Sequence, residues 1–152
     1  MYQHTQTGTV IRWALLSGSL LLGGLALLLP PGPGALAARS ICLSALVLLI
    51  AVAVAFHSLT ISVTEESLTW SFGPGVFRNS VAVSEILDAE PTRTAAYDGW
   101  GIHLTARGWL YNVSGREAVW VRLRSGQQFL LGTDEPEQLA TALRTAQRWS
   151  RA

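Results

Sequence analysis

Two apolar stretches decide the fold: VIRWALLSGSLLLGGLALLLP at residues 10–30 and SICLSALVLLIAVAVAFHSL at residues 40–59. No charged side chain lies between Arg12 and Arg39, and none lies between Arg39 and Glu65. A helix needs about 20 apolar residues to cross the roughly 30 Å hydrocarbon core of a bilayer. Both stretches therefore predict membrane-spanning helices, because a backbone inside lipid must satisfy its own hydrogen bonds.

The connection between the two predicted spans is short. Its sequence, PPGPG at residues 30–34, cannot continue a helix, because proline lacks the N–H donor and clashes with the preceding turn. A tight hairpin of two helices is expected. Small residues of the first span allow close approach either of the second helix or of another copy of the chain: Gly18, Ser19, Gly23 and Gly24.

A cleaved signal peptide is a second interpretation of the first stretch. Arg12 is then its basic flank, residues 14–29 are its apolar segment, and residues 35–37 are its small-residue cleavage site. Both interpretations leave the chain after the second span in the cytoplasm, and only an inverted hairpin puts it outside. The arginines barely decide the matter, since Arg12 and Arg39 flank opposite ends of the first span. We expect a cytoplasmic domain.

The charge and cysteine content exclude two classes of protein. The chain has eleven arginines, no lysine and ten acidic residues, and from residue 58 onward nine arginines accompany the same ten acids. This balance gives no basic stripe for nucleic acid. The single cysteine, Cys42, lies within the second apolar stretch, so a disulfide framework is excluded. Arginine without lysine, together with many Ala, Gly and Leu residues, is typical of a GC-rich bacterium.

After residue 58 the apolar residues alternate with polar ones, which predicts half-buried strands. The first two strands have inward residues Leu59, Ile61 and Val63, then Leu68, Trp70 and Phe72. Glycine and proline at residues 73–75 supply a turn. Further strands are predicted at residues 81–86, at 89–94 with Pro91 marking an edge position, at 102–104 and at 109–113.

The end of the chain predicts a hairpin followed by a helix. In residues 118–131, Val119, Val121 and Leu123 face one way, Trp120, Arg122 and Arg124 face the other, and Ser125-Gly126 forms the turn. The helix follows residues 133–136, where Asp134 is predicted to cap it and proline suits its first turn. Its apolar stripe consists of Leu139, Ala142, Leu143 and Ala146.

Five segments of the chain resemble a known family. They are YQHTQ at 2–6, FGPG at 72–75, GWGI at 99–102, GWLYNVSG at 108–115 and GTDEP at 132–136. As a set they resemble bacterial pleckstrin-homology-like (PH-like) domain proteins that carry a two-helix membrane hairpin ahead of the domain. The resemblance implies an α+β membrane protein with a seven-stranded, strongly bent antiparallel sheet or barrel capped by a C-terminal helix. The expected division is residues 1–57 for the N-terminal segment and hairpin, and 58–152 for the PH-like domain.

The resemblance brings no catalytic activity. Phosphoinositide binding is not carried over either, because the connection that is basic in eukaryotic PH domains is the acidic Thr64-Glu65-Glu66 here. The three histidines are too scattered for a metal site. A triad of Asp98, His103 and Ser114 is rejected, since the serine lacks a nucleophile elbow. We predict no enzyme activity, no metal, no cofactor and no small-molecule substrate.

Aromatic and basic residues of the predicted domain are candidates for an interaction surface. Rings between residues 97 and 111 either fill the corner of a bent sheet or form a contact surface. The candidate surface consists of Trp100, His103, Arg107, Trp109, Tyr111, Trp120, Arg122 and Arg124. We expect a two-span protein of the bacterial cytoplasmic membrane that contacts the bilayer and presents this surface for protein interaction or self-association. A lipid- or headgroup-binding sensor is the alternative function.

Overall fold

The structure is a computed structural model that describes residues 1–150, apart from the side chains of Val10 and Ala96. Three helices are present: α1 (Thr9–Leu28), α2 (Ala35–Phe56) and α3 (Pro136–Trp149). The strands are β1 (Tyr2–Thr7), β2 (Ser58–Val63), β3 (Ser67–Phe72), β4 (Phe77–Ala82), β5 (Ile86–Arg93), β6 (Gly101–Thr105), β7 (Gly108–Asn112), β8 (Glu117–Leu123) and β9 (Gln128–Gly132). The predicted α+β class, with two long apolar N-terminal helices and a sheet-rich C-terminal part, is confirmed.

Helices α1 and α2 form an antiparallel pair. Their segments Ile11–Leu28 and Ala35–Phe56 are long and apolar enough to cross a membrane, and only 6% of each is buried. The apolar side chains therefore face outward, unlike those of a core helix in a soluble protein. Gly18 lies at the helix contact, where an added Cβ would touch Leu49 at 3.4 Å. Near the start of α2, the Arg39 guanidinium donates a hydrogen bond of 2.7 Å to the Leu29 carbonyl and satisfies the end of α1.

The first strand of the sheet precedes the helix pair, which the sequence did not predict. Strand β1 pairs antiparallel with β2 from Tyr2 opposite Val63 to Thr7 opposite Ser58. The Gly8 N–H continues this ladder by donating to the His57 carbonyl at 2.8 Å. The helices thus leave from two adjacent strands without a linker. The division of the chain after residue 57 stays a prediction, and residues 2–7 belong to the same sheet as β2.

Side chains of β1 also hold the segment before α3. The His4 Nε2–H donates to Asp134 at 2.6 Å, and the Tyr2 hydroxyl donates to Glu135 at 3.3 Å. Burial, with the nearby carboxylate of Glu135, raises the pKa of Tyr2 to about 12. Asp134 was predicted to cap α3, and this is wrong: the residue preceding the helix is Glu135, and Asp134 is engaged by His4 instead. Proline at the start of α3 is confirmed.

The strands form two sheets, of order β1-β2-β3-β4 and β5-β8-β9-β7-β6. The prediction of seven strands in one antiparallel sheet is wrong, because residues 1–150 contain nine strands and β7 runs parallel to β9. The parallel pair arises because the β8–β9 hairpin places β9, not β8, beside β7. The sheets do not close into a barrel: β4 and β6 both remain edge strands. Pro91 lies on the edge strand β5, as predicted.

The core lies between the two sheets and α3. The predicted inward residues of β2, β3 and β8 are all buried, which confirms the alternation. Helix α3 buries Leu139, Ala140, Leu143 and Ala146, while Ala142 is half-buried. Two polar side chains of α3 also tie it to β5: Gln147 donates to the Ile86 carbonyl at 2.8 Å and Arg144 to the Ala89 carbonyl at 3.3 Å. The sheet-rich part is thus covered at one side by the last helix.

Candidate functional site

The open seam between the two sheets forms a groove of about 500 Å³. One wall is the edge strand β4, in which every residue except Val81 is exposed. The other wall comes from β7, β9 and the β8–β9 turn. The lining residues include Asn79, Ser80, Val81, Trp109, Gln127 and Gln128. The groove therefore has polar groups along its rim and an unpaired row of backbone N–H and C=O groups on β4.

Stacked aromatic rings form the floor of this groove. The ring of Trp70 stacks on Phe129 with centroids 4.8 Å apart, and it meets Tyr111 edge-on at 5.2 Å. Partial burial raises the pKa of Tyr111. The Trp70 Nε1–H is buried and has no hydrogen-bond partner within residues 1–150. A side chain entering the groove thus meets an aromatic surface, while the Trp70 N–H stays buried beneath it.

Trp109 stands at the rim of the groove. Its side chain is 49% exposed, and across the β6–β7 hairpin it pairs with Leu104, which is 69% exposed. Trp109 and Tyr111 were both predicted as interaction residues, and the structure brings them together at one groove. Tyr111 is half-buried against the core, whereas Trp109 remains exposed. Of the two interpretations of the aromatic segment, filling of the sheet corner thus suits Tyr111 and a contact surface suits Trp109.

A second group of candidate residues lies on the outer face of the five-stranded sheet. It consists of Arg107, Trp120 and Arg122. The Trp120 ring lies between the guanidinium of Arg122 at 4.7 Å and that of Arg107 at 6.0 Å. Arg122 is also bonded to Asp88 at 2.5 Å and to Glu90 at 2.9 Å. Arg107 donates to Thr92 and to the Arg93 carbonyl. These arginines are thus engaged within the domain, and Arg122 faces two carboxylates.

These contacts change the pKa of the Asp88 carboxyl group. Partial burial raises its pKa, but hydrogen bonds from Arg122 and from the Ala89 N–H outweigh burial, so the pKa lies below the ordinary 3.8. A carboxyl with a lowered pKa stabilises the folded state above its ordinary pKa, and this contribution is lost as the pH falls through the folded value.

Asp88→Asn is expected to lower the free energy of unfolding at pH 7 by less than about 1 kcal/mol, because the ion pair of Asp88 with Arg122 is partly exposed. The unfolding temperature should fall slightly. At pH 3 the difference between wild type and variant should shrink, because this pH lies below the ordinary pKa of 3.8, where protonation of Asp88 in the unfolded chain reduces the stabilisation that the lowered pKa provides. Thermal unfolding in detergent at both pH values measures this. A Ser125→Asn variant, in an exposed turn, serves as the control. An equal difference at both pH values contradicts the ion-pair account.

The remaining candidates lie apart from these groups. Arg124 donates through Nε to the Ser84 carbonyl at 3.0 Å. The His103 ring lies beside the Gly99–Gly101 corner, and its Nε2 has no hydrogen-bond partner in the described part of the chain. Trp100 lies beside helices α1 and α2, with Leu15 and Val52 in the same small groove. The eight predicted residues therefore do not form one surface.

The residues of β4 that line the groove were not predicted from the sequence. Asn79 and Ser80 lie between the turn at residues 73–75 and the apolar pair Val81 and Val83, in a stretch with no alternation. The one available signal was the turn itself, because a strand that returns from a glycine-proline turn pairs with the strand before it. Within residues 1–150 no three His, Cys, Asp or Glu side chains come together as a possible metal site.

No protein-family model matches the chain, and no curated protein matches it. The fold and the groove define the class of protein only by its architecture. The chain is an α+β protein with two apolar helices fit to span a membrane, and its sheet-rich part leaves an aromatic groove open beside an edge strand.

Proposed function

We propose that the chain is an integral protein of the bacterial cytoplasmic membrane that presents a PH-like domain to protein partners and has no catalytic role. The outward-facing apolar helices support the membrane location. A sheet-rich domain with a C-terminal helix packed on it supports the PH-like assignment, together with the motifs at residues 72–75, 99–102 and 132–136.

Pairing of β1 with β2 supports a retained first span. Cleavage near residues 35–37 would remove β1. Residues 58–63 of β2 would then lose their hydrogen-bonded partner strand. The same pairing implies that the N-terminus and the domain share one side of the membrane. On that side Arg12 lies at the start of α1, and Arg78 follows Phe77, which stacks on Phe56 at the end of α2. Arg39 alone lies at the other end, so the positive-inside rule favours a cytoplasmic domain.

The observation that carries the interaction role is the open seam beside β4. An extended peptide can add to a free sheet edge through backbone hydrogen bonds, while its side chains enter neighbouring pockets. Here the six-residue strand β4 supplies the edge, and the floor of Trp70, Tyr111 and Phe129 supplies an apolar pocket next to it. The partner expected is an extended segment with an aromatic or large aliphatic side chain.

Tethering to the membrane strengthens such contacts. A domain confined near the surface meets other membrane proteins at a high effective concentration, so a modest groove can suffice. The alternative, a sensor of anionic headgroups, has less support. Arg122 is paired with two carboxylates, and Arg107 and Arg124 are bonded to backbone carbonyls, which leaves these guanidinium groups already engaged.

Ser80→Lys tests the interaction role. A lysine on an edge strand opposes the addition of another strand, and here it also places a charge at the groove. In native membranes, chemical crosslinking of the wild-type protein is expected to give a defined adduct with a second polypeptide, and the variant is expected to lose most of it. Ser80→Thr keeps the hydroxyl and suits a strand, so it should retain the adduct. An adduct of equal yield in all three proteins contradicts binding at β4.

A further inference from the structure

Exposed aromatic and apolar side chains lie in two segments that approach the point where the helix pair joins the domain. Four of them, Val76, Phe77, Tyr97 and Trp100, are called the collar here. They come from two segments that are distant in sequence: the β3–β4 turn with the first residue of β4, and the connection between β5 and β6. Both segments approach Phe56, the last residue of α2.

The β3–β4 turn packs directly on the end of α2. Gly73 has φ +49, and an added Cβ would lie 2.5 Å from the Val54 carbonyl oxygen and 2.7 Å from that of Ala55. The Phe77 ring stacks on Phe56 with centroids 5.4 Å apart. Val76 at the tip of the turn is 59% exposed. The turn is therefore held at the end of the span and presents an apolar side chain beside it.

The second loop reaches further along the helices. Trp100 lines a groove of about 310 Å³ together with Ala14, Leu15 and Val52. Leu15 lies six residues after Thr9, the start of α1, which is about 9 Å along the helix axis. Val52 lies four residues before the end of α2, about 6 Å along its axis. The same groove includes Ile11 near the start of α1 and Phe56 at the end of α2, so Trp100 lies beside the domain-proximal ends of the spans.

Two further exposed rings support a lipid-facing role for the collar. Tyr97, three residues before Trp100, is 91% exposed, although a tyrosine usually buries its ring. Trp13 on α1 is also exposed, and it lies at the same level of the helix pair as Ala14. Tryptophan and tyrosine collect at membrane interfaces, where an apolar ring and a polar tip meet the headgroup layer. In water the same cluster would form an unfavourable apolar patch.

We propose that the collar inserts into the interfacial layer of the bilayer, so that the domain is seated on the membrane rather than suspended from it. The occupant of this surface is lipid at the boundary of headgroups and acyl chains. The proposal rests on the membrane location proposed above and adds the orientation of the domain. With β1 and β2 running directly into the helices, the seated domain points the distant β2–β3 turn away from the membrane.

Lipid quenching of a fluorophore tests the proposal on the full chain. In a Cys42→Ala background, single cysteines at Val76 and Tyr97 are labelled with an environment-sensitive dye, and the proteins are reconstituted into phosphatidylcholine vesicles. Quencher groups are placed on the lipid either near the headgroup or deep in the acyl chain. Leu21→Cys, exposed in the middle of α1, reports the hydrocarbon core, and Glu66→Cys, at the far end of β2, reports water.

Dye at residues 76 and 97 is expected to emit at shorter wavelength than dye at residue 66 and to lose most intensity with the shallow quencher. Dye at residue 21 should lose most intensity with the deep quencher. Absence of quenching at 76 and 97, with quenching at 21 intact, overturns the collar and leaves the membrane location standing. Blue-shifted emission at 76 and 97 without lipid quenching means that a protein surface covers the collar, which also overturns it. Absence of quenching at 21 overturns the membrane location and the collar together.

Discussion

Gly108→Ala is expected to destabilise the domain by about 2–5 kcal/mol, because the substitution combines backbone strain with a clash in the parallel strand pair. Gly108 has φ +98, which an alanine adopts only with strain, and an added Cβ would overlap the backbone carbonyl of Gln128. The obstacle is backbone rather than a movable side chain. Strand β7 must therefore shift away from β9, and the groove beside it changes shape.

Gly126→Ala provides the matched control. Gly126 also has a positive φ, +88, but no atom lies within 4 Å of an added Cβ. This variant carries the strain without the clash and should cost only about 1–2 kcal/mol. Thermal unfolding of both variants, followed by near-ultraviolet circular dichroism in detergent, gives the comparison. Equal destabilisation by the two substitutions would show that β7 and β9 do not approach closely at this point.

Trp70→Ala is expected to destabilise the domain by about 3–5 kcal/mol, the usual range for truncating a buried tryptophan. The side chain is 4% exposed, stacks on Phe129 and meets Tyr111 edge-on. Its removal joins the groove to the core by a cavity that Phe129 and Tyr111 cannot fill. A lower unfolding temperature and loss of the near-ultraviolet aromatic signal are the expected readouts.

Trp109→Ala removes a ring of the same kind from the rim of the same groove. Because this ring is about half exposed, the expected loss is on the order of 1 kcal/mol. Comparing the stability lost in the two variants thus shows which ring of the groove belongs to the core and which is exposed at the rim. If Trp109→Ala proves as destabilising as Trp70→Ala, the rim is part of the core and is not available to a partner.

Local alternation predicted β2, β3 and β8, whereas the strand predicted at residues 81–86 is wrong, because β4 ends at Ala82 and a short turn leads into β5 at Ile86. The inward residues of β2 and β8 are buried as expected, because apolar residues at every second position leave only one face for the core. The stripe of α3 was predicted nearly as well: Leu139 and Leu143 are buried, and Ala140 replaces Ala142 on the buried face. These predictions needed no information about distant parts of the chain.

The sequence did not reveal pairings between distant segments. Strand β1 consists mostly of polar residues, from Tyr2 to Thr7, and its partner lies beyond two helices. The position of β9 beside β7 depends on close backbone approach, for which Gly108 and Gly132 are needed; an added Cβ at Gly132 would overlap the Asn112 side chain. Glycine at these positions looks like an ordinary turn signal in one sequence.

The candidate site was predicted only in part, for a related reason. Aromatic and arginine residues were grouped by their nearness in sequence, whereas the structure distributes them over the groove, the outer sheet face and the helix junction. The carboxylates that engage Arg122 lie more than thirty residues away, at Asp88 and Glu90. Strand β4, which forms one wall of the groove, has no alternation of apolar residues that would predict a strand.

Labelling of single cysteines from each side of the membrane tests the central claim most directly, that a helix pair crosses the bilayer and leaves both its flanking strands on the cytoplasmic side. Cysteines replace exposed Gln3, Pro31 and Ser125 in turn, in the Cys42→Ala background. Intact bacterial spheroplasts are treated with a membrane-impermeant maleimide, before and after permeabilisation.

The account predicts that the cysteine at residue 31 reacts in intact spheroplasts, and that those at residues 3 and 125 react only after permeabilisation. Reaction of residues 3 and 125 from opposite sides would contradict the pairing of β1 with β2 across the helix pair. Reaction of all three from one side would show that the helices do not cross, and exposure of residues 3 and 125 in intact spheroplasts would contradict the cytoplasmic location.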